Sequence, residues 1–101
     1  MSEKRSREEL ALQVAEAEWQ WLKPHLERGS LITVAAALDL AEAGERIAAD
    51  DVQQVGEWIS SSRIGKPTPA EIAVWDSALA RKFLMLVVSP YVLIQDIGTM
   101  N

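Results

Sequence analysis

The segment between Ser6 and Arg28 carries apolar side chains on two sides of a helical wheel, and their need for shelter constrains the fold more than any other feature of the chain. At about 100° per residue, Leu10, Val14, Ala17 and Trp21 line one side, while Leu12, Ala15, Trp19, Leu22 and Leu26 form a second stripe. The polar residues Glu9, Gln13, Glu16, Gln20, Lys23 and Glu27 occupy a narrow strip. A single sheet packed on one side leaves the other stripe wet, so a second covering surface is required, from this chain or from a partner. Ser6 and Glu9 form a Ser-x-x-Glu capping box that opens one long helix. Pro24 removes an amide donor and is expected to kink or restart that helix before it ends at Gly29.

Beyond Gly29 the signals are shorter. Leu31 to Val34 is a β-branched run without alternation, which suits a strand buried on both faces. Asp39 followed by Glu42 caps a second helix with Leu40, Ala43, Ile47 and Ala48 on its apolar face, closing near Ala49. Asp50 or Asp51 caps a third, in which Val52, Val55 and Trp58 or Ile59 recur at helical spacing until Ser60 to Ser62 weaken it. Arg63 to Lys66 reads as a short edge strand. Thr68-Pro69-Ala70-Glu71 combines a threonine cap, proline at the first helical position and glutamate at the third, so a fourth helix starts there, burying Ile72, Trp75 and Leu79.

Phe83 to Val88 is a continuous apolar run that belongs at the sheet centre. Pro90 then removes a ladder donor, so Tyr91 to Gln95 is either a separate strand or the same strand continuing past a bulge; Ser89-Pro90 is a poor two-residue hairpin turn. The expected architecture is α+β, with about four helices on a single layer of sheet of about three or four strands. It forms one domain over residues 1–101, with an arm at 1–5 and a loose tail at 97–101.

Composition narrows the classes of function. At 101 residues and 49% apolar content there is material for one core and no second domain. The absence of cysteine removes disulfides, thiolate metal sites and a cysteine nucleophile, and points to a cytoplasmic home. A net charge of −5 repels a phosphate backbone, so no nucleic-acid partner is expected, and Lys4, Arg5 and Arg7 read as a solubilising arm. Phe83 to Ile94, broken by Ser89 and Pro90, is too short to span a bilayer as a helix, and the charged start of the chain is not a secretory signal.

Trp19, Leu22, Pro24, His25, Arg28 and Gly29, then Asp39-Leu40, Asp50-Asp51, Trp58, Pro67-Thr68, Trp75 and Ser89-Pro90-Tyr91-Val92-Leu93-Ile94-Gln95 accumulate into a recognisable pattern. In it the chain resembles a small bacterial family known as a domain of unknown function, DUF2288. The Trp-x-x-Leu-x-Pro-His and Pro-aromatic-Val-Leu-Ile-Gln segments carry the resemblance, which covers the chain after residue 15 and leaves out Trp21 and the N-terminal arm. It implies a bacterial cytoplasmic setting and a stand-alone domain, and brings no activity, cofactor or partner with it.

Few residues group into chemistry. His25, the only histidine, shares a helical face with Glu18, Trp21 and Arg28, a set that could bind an anion or make His25 a general base. The favoured reading is structural: His25 and Arg28 satisfy carbonyls freed by Pro24 and the helix end. Asp39, Glu42, Glu45, Asp50 and Asp51 lack calcium-loop spacing, and capping accounts for two of them, so no metal or other cofactor is expected. Gly65-Lys66-Pro67 lacks the rest of a phosphate loop.

Of the four tryptophans, Trp58 and Trp75 fall on core positions, whereas Trp19 and Trp21 lie on opposite sides of one helix. Either the first helix is sandwiched within the chain or one of the pair anchors an interface, together with Leu12, Leu22 and Tyr91. The leading expectation is a non-enzymatic interaction domain that self-associates or meets a protein partner, through the second stripe or the edge beside Tyr91 to Gln95. The rival is a small-molecule binder or minor enzyme with a pocket near His25, Arg28 and Trp21.

Overall fold

The apolar residues of the N-terminal segment divide between opposite faces of one sheet, Leu10 and Val14 on one and Ala17, Trp19, Leu22 and Leu26 on the other, and the chain reaches both by breaking the expected helix; Leu12 and Trp21 stay exposed. In the computed structural model, which describes residues 6–97, α1 (Arg7–Ala11) stops early, β1 (Ala15–Glu18) follows, and α2 (Trp19–Glu27) starts at once. The expected single long helix is thus corrected to helix, edge strand, helix. Ala15-Glu16-Ala17-Glu18 fits a period of two as well as one of 3.6, and the strand reading prevails because Ala17 pairs with Phe83 on a neighbouring strand. The Ser6–Glu9 capping box forms in both directions, at 3.1 Å each way. Pro24 sits inside α2 without ending it.

The remaining elements are β2 (Leu31–Val34), α3 (Leu40–Ala48), α4 (Val52–Ser60), β3 (Ile64–Gly65), α5 (Pro69–Asp76), β4 (Lys82–Val88) and β5 (Tyr91–Asp96). The strands form one sheet in the order β1-β4-β5-β2-β3, with β5 and β2 parallel and the other neighbours antiparallel. The fold is α+β, as expected, but with five helices and five strands among the described residues, not about four helices and three or four strands, because the N-terminal segment supplies α1, β1 and α2 where one helix was expected.

Alternation along β4 and β5 sorts the core into two layers. Leu10, Ala43, Trp58, Leu86, Val88 and Leu93 pack on one face under α1, α3 and α4; Trp19, Leu22, Trp75, Phe83, Val92 and Ile94 pack on the other under α2 and α5. Both faces are covered, which is why β4 and β5 read as continuous apolar runs. On the second face three rings meet: Trp19 lies 4.9 Å from Trp75 and 5.9 Å from Phe83, and Trp75 meets Phe83 edge-on at 5.0 Å. Each such pair is worth about 0.5–1.5 kcal/mol beyond the area it buries.

Two further expectations change. β4 and β5 are a hairpin after all: Val88 pairs with Tyr91 across Ser89-Pro90, whose peptide bond is cis, the turn class with proline in its third position. β5 is therefore the central strand, flanked by β4 and β2, so Tyr91 to Gln95 offers no edge to a partner. Leu79, expected on the buried face of the last helix, lies beyond the end of α5 and is 48% exposed. The expected arm at 1–5 and residues 98–101 of the expected tail lie outside the described residues.

Candidate functional site

α3 and α4 meet at two consecutive aspartates with different roles. Ala49 ends α3, and Asp50 takes up left-handed backbone (φ 58°) so that its amide reaches the Ile47 carbonyl while the Asp51 amide reaches that of Arg46. Asp51 then caps α4, accepting from the Gln54 amide at 3.2 Å, and its other oxygen accepts from Arg46 Nη1 at 3.0 Å. The tight connection sets where α4 leaves α3. Trp58 anchors α4 in the core, whereas Val52 is 73% exposed and Ile59 56% exposed.

Between α4 and the sheet lies a cleft of about 590 Å³. Val52, Val55, Gly56 and Ile59 form its helical wall, Ile47 closes it from α3, and Ile32, Ile64 and Tyr91 line it from the sheet. Positions 52, 55, 56 and 59 follow the i, i+3, i+4, i+7 spacing of one helical face. Asp50, Asp51 and Lys66 are the charged lining residues. Lys66 donates to the Gly29 carbonyl at 2.7 Å, whereas the Asp50 carboxylate has no hydrogen-bond or ion partner among the described residues. The size falls within the range of small-molecule sites, about 300–1,000 Å³, and so does the pattern of apolar walls with a few polar groups. The lining is mostly aliphatic, with the Tyr91 phenol and the charged groups of Asp50, Asp51 and Lys66 as its polar side chains.

Of the residues expected to bind a ligand or form an interface, only Tyr91 lines this cleft, which also takes in Asp50, Asp51, Gly65 and Lys66, considered above for a metal or a phosphate. Glu18 is the last residue of β1 and the N-cap position of α2, where its carboxylate accepts from Gln20 Nε2 at 2.6 Å. It does not share a helix with His25 in the way the long-helix reading required. Trp21 and Arg28 are exposed and His25 is half-buried. The expected role of His25 and Arg28 at the helix end is taken by others: the Gly29 amide bonds the Leu26 carbonyl, and the Ser30 amide and hydroxyl both bond the His25 carbonyl.

Trp19 and Leu22, expected as interface residues, are 0% and 1% exposed and belong to the chain's own core; Leu12 is 87% exposed. Asp39 caps α3 through the Glu42 amide at 2.9 Å. Among the described residues no three metal-binding side chains converge.

The cleft escaped sequence reasoning because Trp58 and Ile59 compete for the same inward direction on α4. The tryptophan takes it, and Ile59 rotates with Val52 and Val55 onto the cleft. Gly56, a helix-interior glycine inside that apolar stripe, was the signal available.

Comparison with known proteins gives a family and a solved fold. The family described as "Protein of unknown function (DUF2288)" matches residues 5–96, taking in α1, which the resemblance drawn from the sequence had left out. The NMR solution structure of PA1075 from Pseudomonas aeruginosa shares 32% identity and superposes with a TM-score of 0.75, covering 100% of this chain and 97% of that one. No curated protein matches.

Proposed function

The chain belongs to the DUF2288 family, and from the geometry of its cleft we propose that it is a non-enzymatic binding protein that receives an apolar group between α4 and the sheet. The observation that carries this reading is the apolar stripe of α4 in the cleft, with Val52 and Ile59 exposed and Val55 half-buried, lining the same space as Ile32 and Ile64 of the sheet. Contiguous apolar lining of this kind costs stability in water and is used where something covers it. A cytoplasmic setting fits a chain without cysteine. No helix of the described residues is long and apolar enough to cross a membrane.

A neutral solvatochromic dye such as Nile red tests the reading. Fluorescence enhancement is expected with the intact protein and with Val74→Asp, an exposed site on α5 outside the cleft, and is expected to be lost in Ile59→Asp. Equal enhancement in both variants rejects the cleft as the binding site.

A second reading, self-association, is supported by Leu12 and Trp21, which at 87% and 61% exposure remain uncovered by the chain. Light scattering that shows a concentration-dependent dimer, abolished by Trp21→Ala, is the outcome this reading requires.

A further inference from the structure

We infer that the occupant of the cleft is a small amphiphile with an apolar body and a cationic head, the body lying against Gly56 and the head at Asp50. The inference rests on the cleft being the binding site and adds the chemistry of what it holds.

The first support is Gly56. Glycine inside a helix is a costly choice that is repaid where the backbone needs a positive φ or where a neighbour leaves no room for a side chain. Neither applies: Gly56 is not among the positive-φ residues, and a Cβ built on it meets nothing within 4 Å. Gly44, the other helix-interior glycine, shows the contrast, because its Cβ would come within 2.6 Å of Leu86. The room that Gly56 keeps is on the stripe shared with Val52, Val55 and Ile59, so it is cleft room.

The second support is charge. Lys66 is tethered to the Gly29 carbonyl and the Asp51 carboxylate is shared between the Gln54 amide and Arg46. Asp50 keeps a carboxylate without a partner among the described residues, placed just past the C-terminus of α3, where the aligned peptide dipoles also favour a cation. Glu57, one turn from Gln53, adds a further anion beside Asp51 in an adjoining polar depression. The chain as a whole carries −5. A cationic head meets Asp50 without displacing an existing bond, whereas an anionic head would have to draw the Lys66 ammonium off the Gly29 carbonyl, and a neutral one would leave Asp50 unused.

The test compares decyltrimethylammonium, decyl sulfate and decyl maltoside, all below their micelle concentrations, by titration calorimetry on the full chain. The ammonium compound should bind about tenfold more tightly than the sulfate, with the maltoside between them. Asp50→Asn should weaken the ammonium compound about threefold to fivefold, the upper part of the range for an exposed charge pair, and leave the maltoside unchanged. Gly56→Leu, whose fold is checked by its thermal melt, should abolish binding of all three.

Equal affinity for the three probes, still abolished by Gly56→Leu, overturns the cationic head and leaves the cleft reading standing. Preference for the sulfate assigns the head to Lys66 and overturns the inference. Absence of binding, or binding indifferent to both Gly56→Leu and Ile59→Asp, overturns the inference and the cleft reading together.

Discussion

The indole N–H of Trp19 donates to Oδ1 of Asp76 at 2.8 Å, tying the first turn of α2 to the last residue of α5. The same oxygen receives the Lys23 ammonium at 3.1 Å. The indole satisfies its one polar atom while the ring stays in the core, so a fully buried tryptophan costs no unpaired donor.

Those contacts make stability depend on acid pH. The Trp19 hydrogen bond first, then the Lys23 hydrogen bond, holds the Asp76 carboxyl below its ordinary value of 3.8, with slight desolvation opposing. A carboxyl whose folded value is depressed contributes stability above its unfolded value and loses that contribution as the pH falls through the folded one. Urea midpoints should therefore separate wild type from Asp76→Asn at neutral pH and converge below about pH 4. A gap that stays constant across that range would show that Asp76 acts through shape alone.

How far the sequence reached follows the range of each signal. Asp39 and Thr68 cap the helices they were expected to cap, Asp51 is the one of the Asp50-Asp51 pair that caps α4, Ser6 caps a helix at the expected start though a far shorter one than expected, and Leu31–Val34 is a strand with the expected bounds, because these features are decided within four residues. Ala15–Glu18 failed because the deciding contact, Ala17 against Phe83, spans most of the chain. The need for two covering surfaces was legible from Leu10, Trp19 and Leu22, but not that the sheet itself supplies both. The cleft was the least legible, since it depends on which of Trp58 and Ile59 turns inward, a packing outcome that periodicity cannot rank.

The two glycines inside α3 and α4 should respond oppositely to the same substitution. Alanine raises helix propensity at either site by about 1 kcal/mol. At Gly56 nothing opposes this, so Gly56→Ala should stabilise by about 0.5–1 kcal/mol. At Gly44 the new methyl lies 2.6 Å from Leu86 Cδ2 and 3.3 Å from Val88 Cγ2, so at least the Leu86 side chain, which is fully buried, has to shift within the core. Overpacking of that kind costs about 1–3 kcal/mol, so Gly44→Ala should be neutral to destabilising. Equilibrium urea unfolding of the two variants side by side decides it, and a gain at Gly44 would show that α3 lies looser on the sheet than described.

Three helices end in the same left-handed turn, but only one uses glycine for it. Gly29 after α2 (φ 76°), Asp50 after α3 (φ 58°) and Ser62 after α4 (φ 63°) occupy equivalent positions, each closed by paired amide-to-carbonyl bonds. A side chain in this conformation costs roughly 1 kcal/mol. Ser62→Gly should raise the urea midpoint by up to about 1 kcal/mol of stability, and Gly29→Ala should lower it by a similar amount. Neither Ser62 nor Asp50 has a side-chain bond to lose among the described residues, and Ser62 is the cleaner of the two non-glycine sites because it carries no charge and lies outside the cleft.

Gln95 is the one polar residue among those described that is buried, and its amide holds the loop between β2 and α3 to the centre of the sheet. Nε2 donates to the Ala35 carbonyl at 2.8 Å and to the Leu38 carbonyl at 2.6 Å, so one side chain satisfies two backbone acceptors just before Asp39 starts α3. Gln95→Leu removes both donors and leaves those carbonyls with poorer partners; a buried group stripped of its hydrogen bond costs about 1–3 kcal/mol. Gln95→Glu is the sharper probe, because at neutral pH it places a carboxylate where both neighbours are also acceptors. Burial and repulsion raise the pKa of that new carboxyl, and only its protonated form can donate. A raised folded value contributes least above it, so the glutamate variant should recover stability relative to wild type as the pH is lowered from about 7 towards 5. If Gln95→Leu unfolds at the wild-type midpoint, the two hydrogen bonds do not carry the loop, and the placement of α3 above the cleft must come from Leu40, Ala43 and Gly44 alone.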